Sequence, residues 1–215
     1  GSEMCIRDRN STMKDLLNKK IVLASQSPRR HSLIKKLDVD FDVVSPSFDE
    51  KLDSDNYTDD AIKSLSLKKA LSVLENSQDT DICSCNKYKD CLIISADTMV
   101  VLNNKIYGKP KSEQRAKQML KELSGQKHFV VTAVTVLDAD TKQSITEVVK
   151  TYVTFQDLSD ELIDSYVTTN KPLDKAGAYG IQEMGSDFIK EVDGDLENVI
   201  GLPTKTLRKI LEEFL

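Results

Sequence analysis

The 215-residue chain is 39% hydrophobic and 30% charged, and carries a formal net charge of −5 at pH 7. That is the composition of an ordinary globular protein, long enough for a sizeable core in one large domain or two small lobes. The acidic balance excludes a general basic surface for duplex nucleic acid, and no apolar run approaches the roughly 18–20 residues that span a bilayer.

Gly1 to Thr12 show no hydrophobic period and read as an expression scar ahead of Met13. No apolar region of a secretory signal stands near the start. The four cysteines, Cys5, Cys83, Cys85 and Cys91, complete no zinc pattern with a second Cys or His pair. They are expected as free thiols in a reducing cytoplasm.

Ile21 to Ala24 is a short apolar run of the kind that makes a buried strand. Ser27 then suits a helix N-cap, and Pro28 suits the first helical position. Arg29 and Arg30 fall in the first turn, where the helix dipole disfavours cations unless an anion docks there. The segment reads either as a phosphate site or as a solvated helix start with two surface arginines. The helix near 28–37 presents Leu33, Ile34 and Leu37, and a second strand follows through Val39, Phe41, Val43 and Val44. An acidic loop at 47–58 holds Asp49, Glu50 and Asp53. A helix over about 59–75 has the stripe Ile62, Leu65, Ala70 and Leu74.

Residues 76–90 are polar and read as a surface insertion. Leu92 to Leu102 is strand-like, with Asp97 expected at a strand end, opening into a cleft. Asn103-Asn104 makes a hairpin turn to Ile106-Tyr107. A helix over about 112–123 ends at Ser124-Gly125, and strands at 128–137 and 145–155 form a long antiparallel hairpin. Ser159 caps a further helix to about Thr168. The stretch 174–203 is glycine-rich, which suggests backbone packed close to a ligand or to other backbone. A final amphipathic helix runs from Pro203 to Leu215. Interleaved helices, strands and hairpins imply a mixed α/β sheet.

Asp97 is a candidate general base or Mg²⁺ ligand, or else an Asp bonded to its own turn through Thr98. Glu50 lies in a run that is solvated in most proteins. Lys109 is held between Gly108 and Pro110, whereas Lys69 sits beside Lys68 on a helix, where lysines are usually surface charge. His128 reads as a structural hydrogen-bonder. No catalytic-triad elbow, Walker loop or Rossmann fingerprint is present. A phosphate-shaped helix start, two acidic groups, two lysines and a glycine-rich wall fit phosphoanhydride chemistry as a set.

The ordered strings Ala24-Ser25-Gln26-Ser27-Pro28-Arg29-Arg30, Phe48-Asp49-Glu50, Lys69-Ala70, Ala96-Asp97-Thr98 and Gly108-Lys109-Pro110 are followed by Leu123 to His128 and on through Thr132. Asp174 to Gln182 and Gly194-Asp195 through Pro203 complete the series. In this arrangement the chain resembles the Maf family of nucleoside triphosphate pyrophosphatases, related in fold to the inosine triphosphate pyrophosphatases. The resemblance implies an elongated, mixed, twisted sheet flanked by helices, with a central cleft between two lobes, formed by a single domain over residues 13–215.

The resemblance also implies cleavage of a nucleoside triphosphate to the monophosphate and pyrophosphate with Mg²⁺ or Mn²⁺, held by Glu50 and Asp97. Asp97 matches the family's proton acceptor. Arg29, Arg30, Lys69 and Lys109 would neutralise the triphosphate, and Ser25 and Ser27 would cradle it. Arg29, Thr98 and Gln182 are similar to the specificity triplet of the dTTP and UTP branch, and modified pyrimidine nucleotides are further substrates it implies. Nucleotide-pool house-cleaning by a cytoplasmic homodimer, with no nucleic-acid or membrane partner, is the role implied. The alternatives are a nucleotide-binding regulator of septum formation and a preference for 7-methyl-GTP. Ser32, Glu183 and Leu196 depart from the family pattern, as does the insertion.

Overall fold

The computed structural model describes residue 13 and residues 17–47, 54–76 and 87–215. The acidic-loop residues 48–53, including Glu50, and insertion residues 77–86 lie outside them, as do Cys5, Cys83 and Cys85. Among the described residues no helix is long and apolar enough to cross a membrane.

The chain runs β1 (Lys20–Ala24), α1 (Pro28–Ile34), β2 (Phe41–Val44), α2 (Asp59–Glu75), β3 (Cys91–Leu102) and β4 (Lys105–Tyr107). It continues with α3 (Glu113–Leu123), β5 (Lys127–Asp138), β6 (Ser144–Phe155), α4 (Asp160–Asn170), β7 (Ile189–Asp193), α5 (Leu196–Ile200) and α6 (Thr204–Glu212). The seven strands make one open mixed sheet in the order β2-β1-β3-β5-β6-β7, with β4 paired to β3.

Local chemistry accounts for many of these boundaries. The side chains of Thr58, Ser112 and Ser159 accept from the backbone N–H groups of Ala61, Arg115 and Leu162, capping α2, α3 and α4. Asn103 and Asn104 take φ values of 50° and 64°, the left-handed pair that a tight hairpin between β3 and β4 needs. Ser27 holds the N-cap position of α1, but its side chain makes no cap bond; its N–H instead donates to Ser25 Oγ at 3.1 Å.

Strand periodicity sorts β3 between two cores. Leu92, Ile94 and Ala96 pack with Leu33 and Ile34 of α1 and with Leu207, Ile210 and Leu211 of α6. Farther along that face, Val100 and Leu102 join Met119, Leu120 and Leu123 of α3 and Ile163 and Val167 of α4. The intervening residues Ile93, Met99 and Val101 meet α2 through Ala70, Val73, Ile62 and Leu65. Small and hydroxylated residues bring α2 close to the sheet. Ser95 Oγ donates to the Ser66 carbonyl at 2.6 Å, and Thr135 Oγ1 donates to Ser66 Oγ at 2.8 Å.

The glycine-rich stretch contains two elements that the sequence reading lacks, β7 and α5. Gly177, at φ 68°, packs so close to Val100 that a Cβ would stand 2.9 Å from its methyl groups.

His128 of β5 is buried, shares a 2.8 Å hydrogen bond with the Tyr179 hydroxyl and meets the Phe155 ring edge-on. Burial pushes its imidazole from 6.5 down to about 4. As pH falls, the unfolded chain takes up this proton near its ordinary pKa, while the native state resists until about 4. Stability from this group is therefore complete above about 6.5 and falls through that window, by about 3 kcal/mol at most. Urea unfolding at pH 7 and pH 4.5 should show a larger loss for wild type than for His128→Gln. Equal losses would contradict this assignment.

Candidate functional site

The site follows from a mismatch in strand length. β1 runs parallel to β3 from Lys20↔Cys91 to Leu23↔Ile94, and β4 pairs with β3 only from Val100 to Leu102. On its other edge β3 is paired to β5 throughout, from Leu92↔Asp138 to Val101↔Phe129. Residues 95–99 therefore have no strand beside them on the β1 edge, and a cleft of about 680 Å³ opens there. Asp97 does not end a strand, contrary to the expectation. It sits at mid-strand, and the cleft reaches it because β1 stops short.

Asp97 faces α2. Its Oδ2 lies 2.8 Å from Nζ of Lys69, in charge contact off the alignment of a hydrogen bond, with Asp97 8% and Lys69 6% exposed. Two buried charges of opposite sign hold one another in place, which neither could do alone at low cost. Lys69 is thus no surface lysine. It falls on the buried stripe with Ile62, Ser66 and Val73, while Lys68 is exposed.

Thr98, one residue on, projects from the opposite face. Its hydroxyl accepts from Arg30 Nη2 at 3.0 Å and shares a 2.9 Å bond with Thr132 Oγ1. Arg30 Nε donates to the Gly201 carbonyl at 2.8 Å, so its guanidinium is fixed at two points. The loop carrying Gly201 is itself anchored. Asn198 is fully buried and its side-chain amide donates to the Val130 carbonyl and Thr151 Oγ1, each at 3.1 Å, while its backbone carbonyl accepts from Thr132 Oγ1 at 3.0 Å. Thr132, Asn198 and Gly201 fall within the strings that carry the family resemblance but have no role assigned from sequence, and Thr151 is a supporting residue outside them.

Arg29 behaves differently from Arg30. It reaches across the cleft to Asp174, with Nη1 3.5 Å from Oδ2. Burial raises the Asp174 pKa, but the bond from Lys175 and the charges of Lys175 and Arg29 outweigh it and hold the carboxyl below its usual range. Lys109 is exposed on the rim, and its turn is tied to the glycine-rich segment where Gly177 N–H donates to the Gly108 carbonyl at 3.2 Å. Gln182 is exposed in a single helical turn at Ile181–Glu183.

Ser25, Ser27, Arg29, Arg30, Lys69, Asp97, Thr98, Lys109 and Gln182 all line this one cleft. Glu50, the tenth expected residue, lies outside the described residues. Among the described residues no group of three or more His, Cys, Asp or Glu is placed to hold a metal ion. Five separate stretches of chain therefore bring four of the expected cations and the buried Asp97 carboxylate to one cleft.

The chain is similar to curated relatives over most of its length. A protein from Dictyoglomus turgidum named dTTP/UTP pyrophosphatase is 41% identical over 199 residues, covering 92% of this chain and 97% of that protein. A protein of the same name from Thermosipho melanesiensis is 46% identical over 193 residues, covering 89% and 96%. Among solved structures, the Staphylococcus aureus Ham1 protein aligns at a TM-score of 0.44 with 15% identity, over 65% of this chain and 73% of its own. The family model described as Maf-like protein matches residues 20–214, so the chain belongs to the Maf family.

Proposed function

We propose that this protein is a nucleoside triphosphate pyrophosphatase that hydrolyses dTTP and UTP to the monophosphate and pyrophosphate. The observation that carries the reading is the buried Lys69–Asp97 pair at the open edge of β3, facing a cleft whose walls bear Arg29, Arg30 and Lys109. Relatives named dTTP/UTP pyrophosphatase at 41% and 46% identity support the same substrate class.

The triphosphate lies along the wall formed by Ser25, Ser27, Arg29, Arg30 and Lys109, where fixed positive charge offsets its own. Asp97 accepts a proton from a water whose oxygen bonds to the α-phosphorus. The P–O bond to the bridging α–β oxygen breaks, and its electron pair leaves with pyrophosphate. Lys69 holds the Asp97 carboxylate at its station and adds positive charge beside the reacting phosphate. Arg30, fixed to Gly201 and Thr98, presents a guanidinium that loses little entropy on binding phosphate. Thr98 contributes to selectivity through Arg30. Gln182 offers both donor and acceptor to a pyrimidine edge.

Magnesium is typically bound through one or two carboxylates together with substrate phosphates rather than in a cage of protein ligands. Asp97 in a cleft shaped for a triphosphate fits that donor set, and Glu50 would supply the second carboxylate. Mg²⁺ or Mn²⁺ bound there would polarise the α-phosphoryl oxygens and acidify water. Organisation as one domain over residues 13–215, a homodimeric state, a cytoplasmic location and service in nucleotide-pool cleaning complete this reading and rest on the family resemblance.

Pyrophosphate release should be measured on dTTP, UTP, CTP, ATP, GTP and 7-methyl-GTP. UTP and dTTP should turn over fastest, and Asp97→Asn should lower kcat by about 10²–10⁴-fold. Full activity in Asp97→Asn, or faster release from 7-methyl-GTP, would overturn the mechanism or the specificity respectively. Exhaustive chelation should abolish release and added Mg²⁺ or Mn²⁺ restore it. Undiminished turnover after chelation would remove the metal from the account.

A further inference from the structure

Gln182 owes its position to groups that do not all line the cleft. Tyr166 of α4 is buried, with its ring 5.2 Å from that of Phe188. Its hydroxyl donates to Glu183 Oε2 at 3.1 Å and accepts from the Gly180 N–H at 3.0 Å. The other carboxylate oxygen, Glu183 Oε1, lies 3.3 Å from Nζ of Lys175, which also bonds Asp174 Oδ1 at 3.1 Å. Gly180 supplies the space for this arrangement. A Cβ there would stand 2.9 Å from Lys175 Cε and 3.3 Å from Glu183 Oε2.

The turn is therefore pinned on both sides of Gln182, at residue 180 through its backbone and at residue 183 through its side chain. Both oxygens of Glu183, which also lines the cleft, are engaged within the protein and tie this carboxylate to the turn. We propose that Tyr166, Lys175 and Glu183 are positioning residues that hold the Gln182 turn in register with a pyrimidine base and so set base selectivity. The proposal deepens the reading of Gln182 as the base-contacting residue and rests on it. An amide on a freely moving turn could adapt to a purine edge, whereas one held in place discriminates by what it leaves unpaired.

Binding of α,β-imido-UTP and α,β-imido-ATP to the full chain, measured by titration calorimetry, separates selectivity from turnover. Tyr166→Phe should lower the ratio of the two affinities about tenfold, as loss of one buried hydrogen bond allows. Glu183→Gln should lower it in the same direction, and its melting midpoint is measured alongside. The double variant Tyr166→Phe/Gln182→Ala should be no less selective than Gln182→Ala alone, because the tyrosine acts through the glutamine. If wild type prefers the UTP analogue, Gln182→Ala removes that preference, and both Tyr166→Phe and Glu183→Gln keep it, the positioning proposal alone fails. Losses that multiply in the double variant overturn it as well. A wild-type ratio near one instead overturns the pyrimidine reading, and this proposal with it.

Discussion

Everything at the site depends on one long strand being paired on one side and abandoned on the other. β3 forms a continuous ladder with β5, which satisfies the backbone groups directed to that edge through residues 95–99. On the opposite edge β1 ends at Ala24 and turns into α1, and β4 joins only from Val100. The two-residue side-chain period of a strand then delivers Asp97 to one face and Thr98 to the other. A single open edge thus gives a ligand access to a carboxylate paired with α2 and to an arginine held from α1.

The Lys69–Asp97 pair explains why the surroundings are polar where a core would ordinarily be apolar. Removing one partner of a buried pair strands the other charge, at a cost of about 3–5 kcal/mol. The pair is therefore a structural commitment as well as a chemical one. Ser66, Ser95, Thr135 and Thr146 form a hydroxyl network beneath it, letting α2 approach the sheet closely enough for Lys69 to meet Asp97. On the far face, Asn198 performs the corresponding task for Arg30 by fixing the loop whose Gly201 carbonyl receives it. The Lys69–Asp97 pair and Arg30 thus each have a supporting contact in the layer behind.

Much of this was legible in the chain. The spans of β1 and α2, the Asn103-Asn104 turn and the long β5–β6 hairpin follow from apolar period, capping residues and turn chemistry. What escaped has physical causes. β7 reads Ile-Lys-Glu-Val-Asp, an edge strand with charged residues on its exposed positions, and α5 is a single helical turn, too short for a period to show. Asp97 was expected at a strand end because a carboxylate inside an apolar strand is costly, and Lys69, the partner that offsets the cost, lies 28 residues earlier in sequence. Lys69 carried a signal nonetheless, since it repeats the spacing of Ile62, Ser66 and Val73 on the buried side of α2. Tyr166 gave no local sign, and Asn198 stood in a resemblance string with no role, because their importance exists only in contacts between distant segments.

The proposed division of the cleft into a phosphate wall, an acid–base group and a base-facing turn specifies which bond is broken and where water attacks. Hydrolysis of UTP in ¹⁸O-labelled water, followed by mass spectrometry of both products, tests that claim directly. Attack at the α-phosphorus, as the proposed reaction requires, places one ¹⁸O in UMP and none in pyrophosphate. Label in pyrophosphate, or release of orthophosphate in place of pyrophosphate, would contradict it.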